Sequence, residues 1–225
     1  MPSVGFAVCT TGYNTGGQYD PVGNSWSATT TTGAPSARSV PVSAWTGTKM
    51  VVWGGYSGGA VNTGGQYDPT GNSWSATTTT GAPAARYHHS GVWSGSKLIA
   101  WGGCSGTCSS GLNTGGQYDP AGNSWSATTT TNAPQGRIYH LGMWSGSRML
   151  VWGGRMPTDD LNTGGQYDPT GNSWVATSTV NAPSRREFSS AAAYTNVFGN
   201  AEMLVWGGGY APTNTFLGDG GIYFP

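Results

Sequence analysis

The sequence predicts an all-β fold built by repetition. Three observations carry that expectation: a block of sequence that returns about every 50 residues, short apolar runs punctuated by Gly and Pro, and no sustained helical period with caps. The octapeptide Asn-Thr-Gly-Gly-Gln-Tyr-Asp-Pro begins at Asn14, Asn62, Asn113 and Asn162, at successive spacings of 48, 51 and 49 residues. A worn copy stands at Gly220-Gly221-Ile222-Tyr223-Phe224-Pro225. Three more markers return with it: Trp-Gly-Gly at Trp53, Trp101, Trp152 and Trp206; Gly-Asn-Ser-Trp with Trp26, Trp74, Trp125 and Trp174; and Ala-Pro-x-x-Arg ending at Arg38, Arg86, Arg137 and Arg186.

Each repeat holds four short runs that read as strands, labelled a to d. In the second complete copy these are Tyr87 to Trp93, Lys97 to Trp101, Gly115 to Tyr118 and Ser124 to Thr130. The double glycine after run b suits a backbone that turns with positive φ or passes close to a neighbour. In Asp68-Pro69-Thr70-Gly71-Asn72, Pro sets the turn while Asp and Asn offer side-chain caps to its amides. Tyr67 and Trp74 are the large side chains that would fill the wedge between neighbouring units.

A double glycine after an apolar strand, then a Tyr, then a Trp beyond an Asp-Pro turn, resembles the kelch repeat, and the endings Val-Trp-Gly-Gly and Tyr-Asp-Pro resemble its bacterial branch. The resemblance runs through nearly the whole chain, 1–225, as one domain. It implies a β-propeller of four-stranded antiparallel blades set radially around a channel, with a innermost and d outermost.

Strand arithmetic leaves ring closure open. The first repeat starts at run b, Val4 to Val8, and the last supplies a near Phe188 to Tyr194, b at Met203 to Trp206 and c at Gly221 to Phe224. One arrangement is a four-bladed ring, in which C-terminal a and b join N-terminal c and d and residues 3–10 and 215–225 are left over. The other has five blade positions with incomplete terminal blades. Either leaves open strand edges, which are pairing sites; strand exchange between copies and membership of a larger propeller are both consistent with them.

Composition narrows the partners. Charged residues make up 8% of the 225 and the formal net charge is zero, with Lys49 and Lys97 the two lysines, so a nucleic-acid partner is not expected. No apolar run is long enough to span a membrane, and Met1 to Phe6 lacks the basic start and apolar core of a signal peptide.

Candidate sites are few. Arg38, Arg86, Arg137 and Arg186 stand where kelch domains place residues near the channel mouth; a guanidinium ring there suits acidic ligands, and the structural reading is that they bond carbonyls at the blade end. His89 and His140 share one repeat position and read as packing. Asp159-Asp160 sits in a variable loop and reads as a solvated tip, with cation binding the alternative. Cys104 and Cys108, in a Gly/Ser-rich loop, suit a local disulfide and hence an oxidising compartment. Cys9 reads as free or intermolecular. Thr tracts that include Thr29, Thr30, Thr77, Thr78, Thr128 and Thr129 read as outer-strand residues and as acceptors for O-linked sugar. The b–c loops differ most between copies, which makes Tyr56, Arg155, Met156 and Tyr210 the candidate ligand-binding residues.

No metal set, no cofactor motif and no catalytic constellation is read from the sequence. The functional expectation is a non-catalytic, extracellular structural or adhesive protein that self-associates through its terminal strands. The alternative is a carbohydrate- or peptide-binding module using the b–c loops.

Overall fold

The computed structural model describes residues 12–196 and 201–224, and the runs read at Val4 to Val8 and at Cys9 lie outside them. All of its regular structure is strand and turn. Among the described residues β1 (Gly17–Asp20) and β2 (Ser25–Ala28) form a two-stranded half-blade. Three full blades follow: β3 (Val42–Trp45), β4 (Met50–Trp53), β5 (Gly64–Asp68) and β6 (Ser73–Ala76); β7 (Ser90–Trp93), β8 (Leu98–Trp101), β9 (Gly115–Asp119) and β10 (Ser124–Ala127); β11 (Leu141–Trp144), β12 (Met149–Trp152), β13 (Gly164–Asp168) and β14 (Ser173–Ala176). Each is an antiparallel meander in chain order.

The terminal blade begins with β15 (Ser190–Thr195) and β16 (Ala201–Trp206). A small hairpin, β17 (Gly209–Tyr210) with β18 (Thr215–Phe216), interrupts it, and β19 (Gly220–Tyr223) then pairs with β16. The five-position arrangement is therefore the one adopted. The shared-blade ring is not, because β19, and not β1, takes the third place beside β16 in the terminal blade. Residues 220–223, counted as surplus under that ring, form a strand. The innermost strands β3, β7, β11 and β15 neighbour one another in that order, and among the described residues the sheets do not close into a ring.

The wedge between blades fills in one repeated pattern. One face of each middle strand b meets the next blade, as Ile99 and Trp101 do against Met149, Val151, Tyr167 and Trp174. The indole of strand d packs at a tilt against the strand-b indole of the preceding blade, Trp125 against Trp53 at 4.8 Å and Trp174 against Trp101 at 5.2 Å. Along the third strand, Gln Nε2 donates to a Tyr hydroxyl one blade on: Gln18 to Tyr67, Gln66 to Tyr118, Gln117 to Tyr167 and Gln166 to Tyr223, all at 2.7–2.9 Å.

The double glycines have a steric cause. A Cβ on Gly102, whose φ is +75°, would stand 2.5 Å from His140 Cε1. His140 also packs edge-on against Trp101 and shares a 2.8 Å hydrogen bond with Ser90, and burial pushes it down to about 3. His89 repeats the placement over Gly54 and Trp53. Both are packing residues.

Two strand readings are corrected. Strand a starts at Ser90, not Tyr87, because His88 before it is left-handed at φ 56°. Strand d ends at Ala127, so the Thr tracts lie in the connection beyond it. Thr77 and Thr128 are buried there, which removes them as sugar acceptors. The hydroxyls of Thr30, Thr78 and Thr129 accept from the amide two residues on.

Candidate functional site

The antiparallel order puts the entrance to strand a, the b–c loop and the d–a connection at one end of every blade. The loops there pair with the entering chain through isolated bridges, Ser39 with Tyr56, Tyr87 with Cys104, Ile138 with Arg155 and Glu187 with Gly209. Neighbouring loops also touch. Tyr56 and Tyr87 meet edge-on at 5.3 Å, and Asp160 Oδ2 accepts 2.7 Å from the Ala211 amide of the next blade. Tyr56, Arg155, Met156 and Tyr210 thus share one face and are half-buried in it. Tyr210 belongs to the β17–β18 hairpin, and the Met156 amide donates to Asp159 O.

Cys104 and Cys108 are joined by a disulfide, with Cα atoms 5.0 Å apart. The loop it closes is held further by Tyr87, whose hydroxyl donates to Gly106 O at 2.7 Å. Tyr87, Cys104 and Ile138 form a small apolar cluster under this face.

The arginines are not a ligand-facing ring. Arg86, Arg137 and Arg186 are fully buried and Arg38 nearly so. Arg137 shows the common pattern: Nε donates to Gln135 O, Nη1 to Gly153 O and Thr163 O, and Nη2 to Thr163 Oγ1. In the terminal blade Asp219 replaces that threonine and accepts from Arg186 at 2.8 Å. Burial pushes Arg86 and Arg137 down to about 10. Each guanidinium is spent stapling its own blade, so the ring of acid-binding groups is absent.

Sequence reasoning missed the most unusual feature of this face. Two residues beyond each arginine the chain adopts a left-handed backbone at Val40, His88, Tyr139 and Phe188, with φ between 46° and 57°. None is glycine, and bulky residues rarely hold this conformation without compensation. Their repeat position places them at the head of the innermost strands. The rings form an arc there: His88 to Tyr139 at 4.4 Å and Tyr139 to Phe188 at 4.2 Å.

Asp159-Asp160 does not form a solvated tip. Asp159 pairs with Arg185, while Asp160 is fully buried. Glu187 is also buried and lies 4.0 Å from Arg155. Among the described residues no donor reaches Glu187 Oε2 or Asp160 Oδ1, and no group of three or more acidic, His or Cys residues is disposed to hold a metal.

Burial, then the Asp160 charge, push the Glu187 carboxyl up to about 7, with Arg155 a partial offset. A carboxyl with a raised folded pKa binds more protons in the folded state than in the unfolded one. Stability therefore falls as pH rises from about 4.5 through about 7. Glu187→Gln is expected to stabilise the chain by about 1–3 kcal/mol near pH 8 and to change little near pH 4. Urea melts at the two pH values measure the difference; equal shifts would show that Glu187 is not a buried carboxylate.

Radial four-stranded blades, the Trp-Gly-Gly seam and the arginine staple define a Kelch-repeat β-propeller architecture, a protein-interaction class that is generally non-catalytic. A family model for the KLHDC2/KLHL20/DRC7 Kelch-repeats domain matches residues 10–208, and the chain belongs to that Kelch-repeat family. No curated protein matches the sequence.

Proposed function

We propose that the chain is an extracellular, non-catalytic structural module that self-associates through its two ends. The observation that carries this reading is that the blade-to-blade seam, complete between the inner blades, is open at the first and last blades of the described residues. Trp174 in the closed seam is 3% exposed, whereas Trp26 of the half-blade is 72% exposed and Trp206 of the terminal blade 58%. Leu204 and Ile222 lie exposed beside Trp206, and Tyr19 beside Trp26. Ends that differ, each offering part of one contact, join head to tail and give rings or filaments. The Cys104–Cys108 disulfide supports the extracellular placement, because such bonds persist in oxidising compartments.

Light scattering across a concentration series is the test. Growth of mass with concentration, reduced by Trp206→Asp, is expected. A single monomeric mass up to about 1 mM would overturn the reading.

A second reading rests on the opposite feature, the loop face. Strained backbone collects at binding sites, and the arc of His88, Tyr139 and Phe188 lies on the same face as Tyr56, Arg155, Met156 and Tyr210. Aromatic faces there suit a pyranose ring or a peptide side chain. A glycan array and a peptide library decide it, and blanks on both would remove it.

A further inference from the structure

The terminal blade stops at three strands among the described residues, and the place of the fourth is already shaped. A cavity of about 320 Å³ lies where the outer-strand indole would sit. Its lining includes Trp152, Ser178, Pro183, Gly221 and Tyr223. The corresponding wall inside the chain is occupied: a Cβ on Gly116 would strike Pro83 and the Trp125 ring, and one on Gly165 would strike Pro134 and the Trp174 ring. At Gly221 the equivalent Cβ meets Pro183 and no indole.

The polar partners of that strand are also in place. In the completed blades the outer-strand Asn accepts through Oδ1 from the amide of Thr30, Thr78 or Thr129. The same oxygen accepts from the Tyr hydroxyl of its own blade, at 2.6–2.7 Å. Two residues on, the Trp indole N–H donates to Thr30 O or Thr129 O. Counting along the repeat, the residue that would supply both amide and carbonyl to the terminal blade is Ser178, which lines the cavity. The Tyr is Tyr223, whose hydroxyl accepts from Gln166 and keeps its own proton to donate. The open edge of β19 offers the backbone pairing.

We propose that this edge and cavity form a strand-binding site that reads Asn-Ser-Trp, and that Asn24-Ser25-Trp26 of a second copy fills it. The inference rests on the self-association reading and gives it a contact. The segment from Gly23 to Ala28 is identical to those at 71–76 and 122–127 that fill the equivalent places internally. It is also the copy whose indole is exposed, and among the described residues β2 pairs with β1 alone. In the exchange β2 leaves β1 and takes up the same antiparallel register on β19, so backbone pairing is conserved while the Trp26 indole becomes buried on Trp152.

The test uses a labelled peptide of residues 23–30, titrated into the full chain and read by fluorescence anisotropy. Saturable binding is expected, weakened about 5–10-fold by Asn24→Ala in the peptide and at least about 30-fold by Trp26→Ala. Because the changes are in the peptide, misfolding cannot imitate the result. In the chain, excess peptide and Trp26→Ala are each expected to reduce the mass seen by light scattering. Binding that is absent, or indifferent to Trp26→Ala, would overturn the proposal even if the chain self-associates by other contacts. Peptide binding to a chain that stays monomeric at every concentration would overturn both the second-copy occupant and the self-association reading.

Discussion

Replacing Arg137 with Met is expected to lower the free energy of unfolding by about 3–5 kcal/mol, a large share of what a domain of this size holds. Met matches the aliphatic stem, so the loss comes from the guanidinium. Its donors reach three backbone carbonyls and one hydroxyl, the shortest at 2.6 Å to Thr163 O. Without it Gly153 O loses its guanidinium donor and Thr163 O keeps the Gly153 amide alone, and under-paired buried carbonyls are costly. Gly153 and Thr163 flank strands β12 and β13, so the same group ties the entrance of the blade to the end of its second strand and the start of its third. The backbone of Arg137 meanwhile accepts from the Gly103 amide of the preceding blade at 2.9 Å. One residue thus joins two blades through its main chain and closes one through its side chain. Arg137→Lys is expected to recover less than half of the loss, because an ammonium is compact and cannot span the same acceptors. Denaturant melts followed by circular dichroism measure all three proteins. A loss under about 1 kcal/mol for Arg137→Met would mean that the carbonyls find other donors.

That linkage explains why so much of the fold was legible. Arg and Trp-Gly-Gly recur together because they meet in space: Gly102 must lack a Cβ to admit His140, and Gly103, whose amide donates to the Arg137 carbonyl, must lack one to clear Tyr87 O and His89. Turn residues were equally readable, since Asp119 accepts from the Ala121 amide within the turn its Asp-Pro pair announces. Function was less so. The left-handed backbone at His88, Tyr139 and Phe188 leaves no glycine to mark it. The buried state of Asp160 depends on a loop of the next blade reaching back through Ala211. The choice between a shared blade and two incomplete ones turns on which edge β19 joins, and a repeat pattern that labels every third strand alike does not rank those edges.

Trp101→Ala is expected to cost about 3–5 kcal/mol, while the same change at Trp206 is expected to cost less than about 1. The two occupy one repeat position, each the last residue of strand b before a double glycine. They differ in what lies beyond. Trp101 is fully buried, flanked by Trp174 at 5.2 Å and by the edge of His140 at 5.4 Å, inside a cluster with Met149, Val151 and Tyr167. Its indole nitrogen has no acceptor among the described residues, so the loss is one of packing and not of a hydrogen bond. Truncation would leave a cavity walled by two blades, and the rigid glycine seam gives that cavity little room to collapse. Among the described residues no blade covers the outer face of Trp206, which is 58% exposed. In an architecture whose units contact only their neighbours, stability is a sum of blade terms and seam terms. The gap between the two substitutions therefore isolates the seam, measured on the monomer at low concentration. If Trp206→Ala becomes as costly as Trp101→Ala once the concentration is raised, its outer face has acquired a blade from another copy, and the difference reports how fully that contact reproduces the internal one.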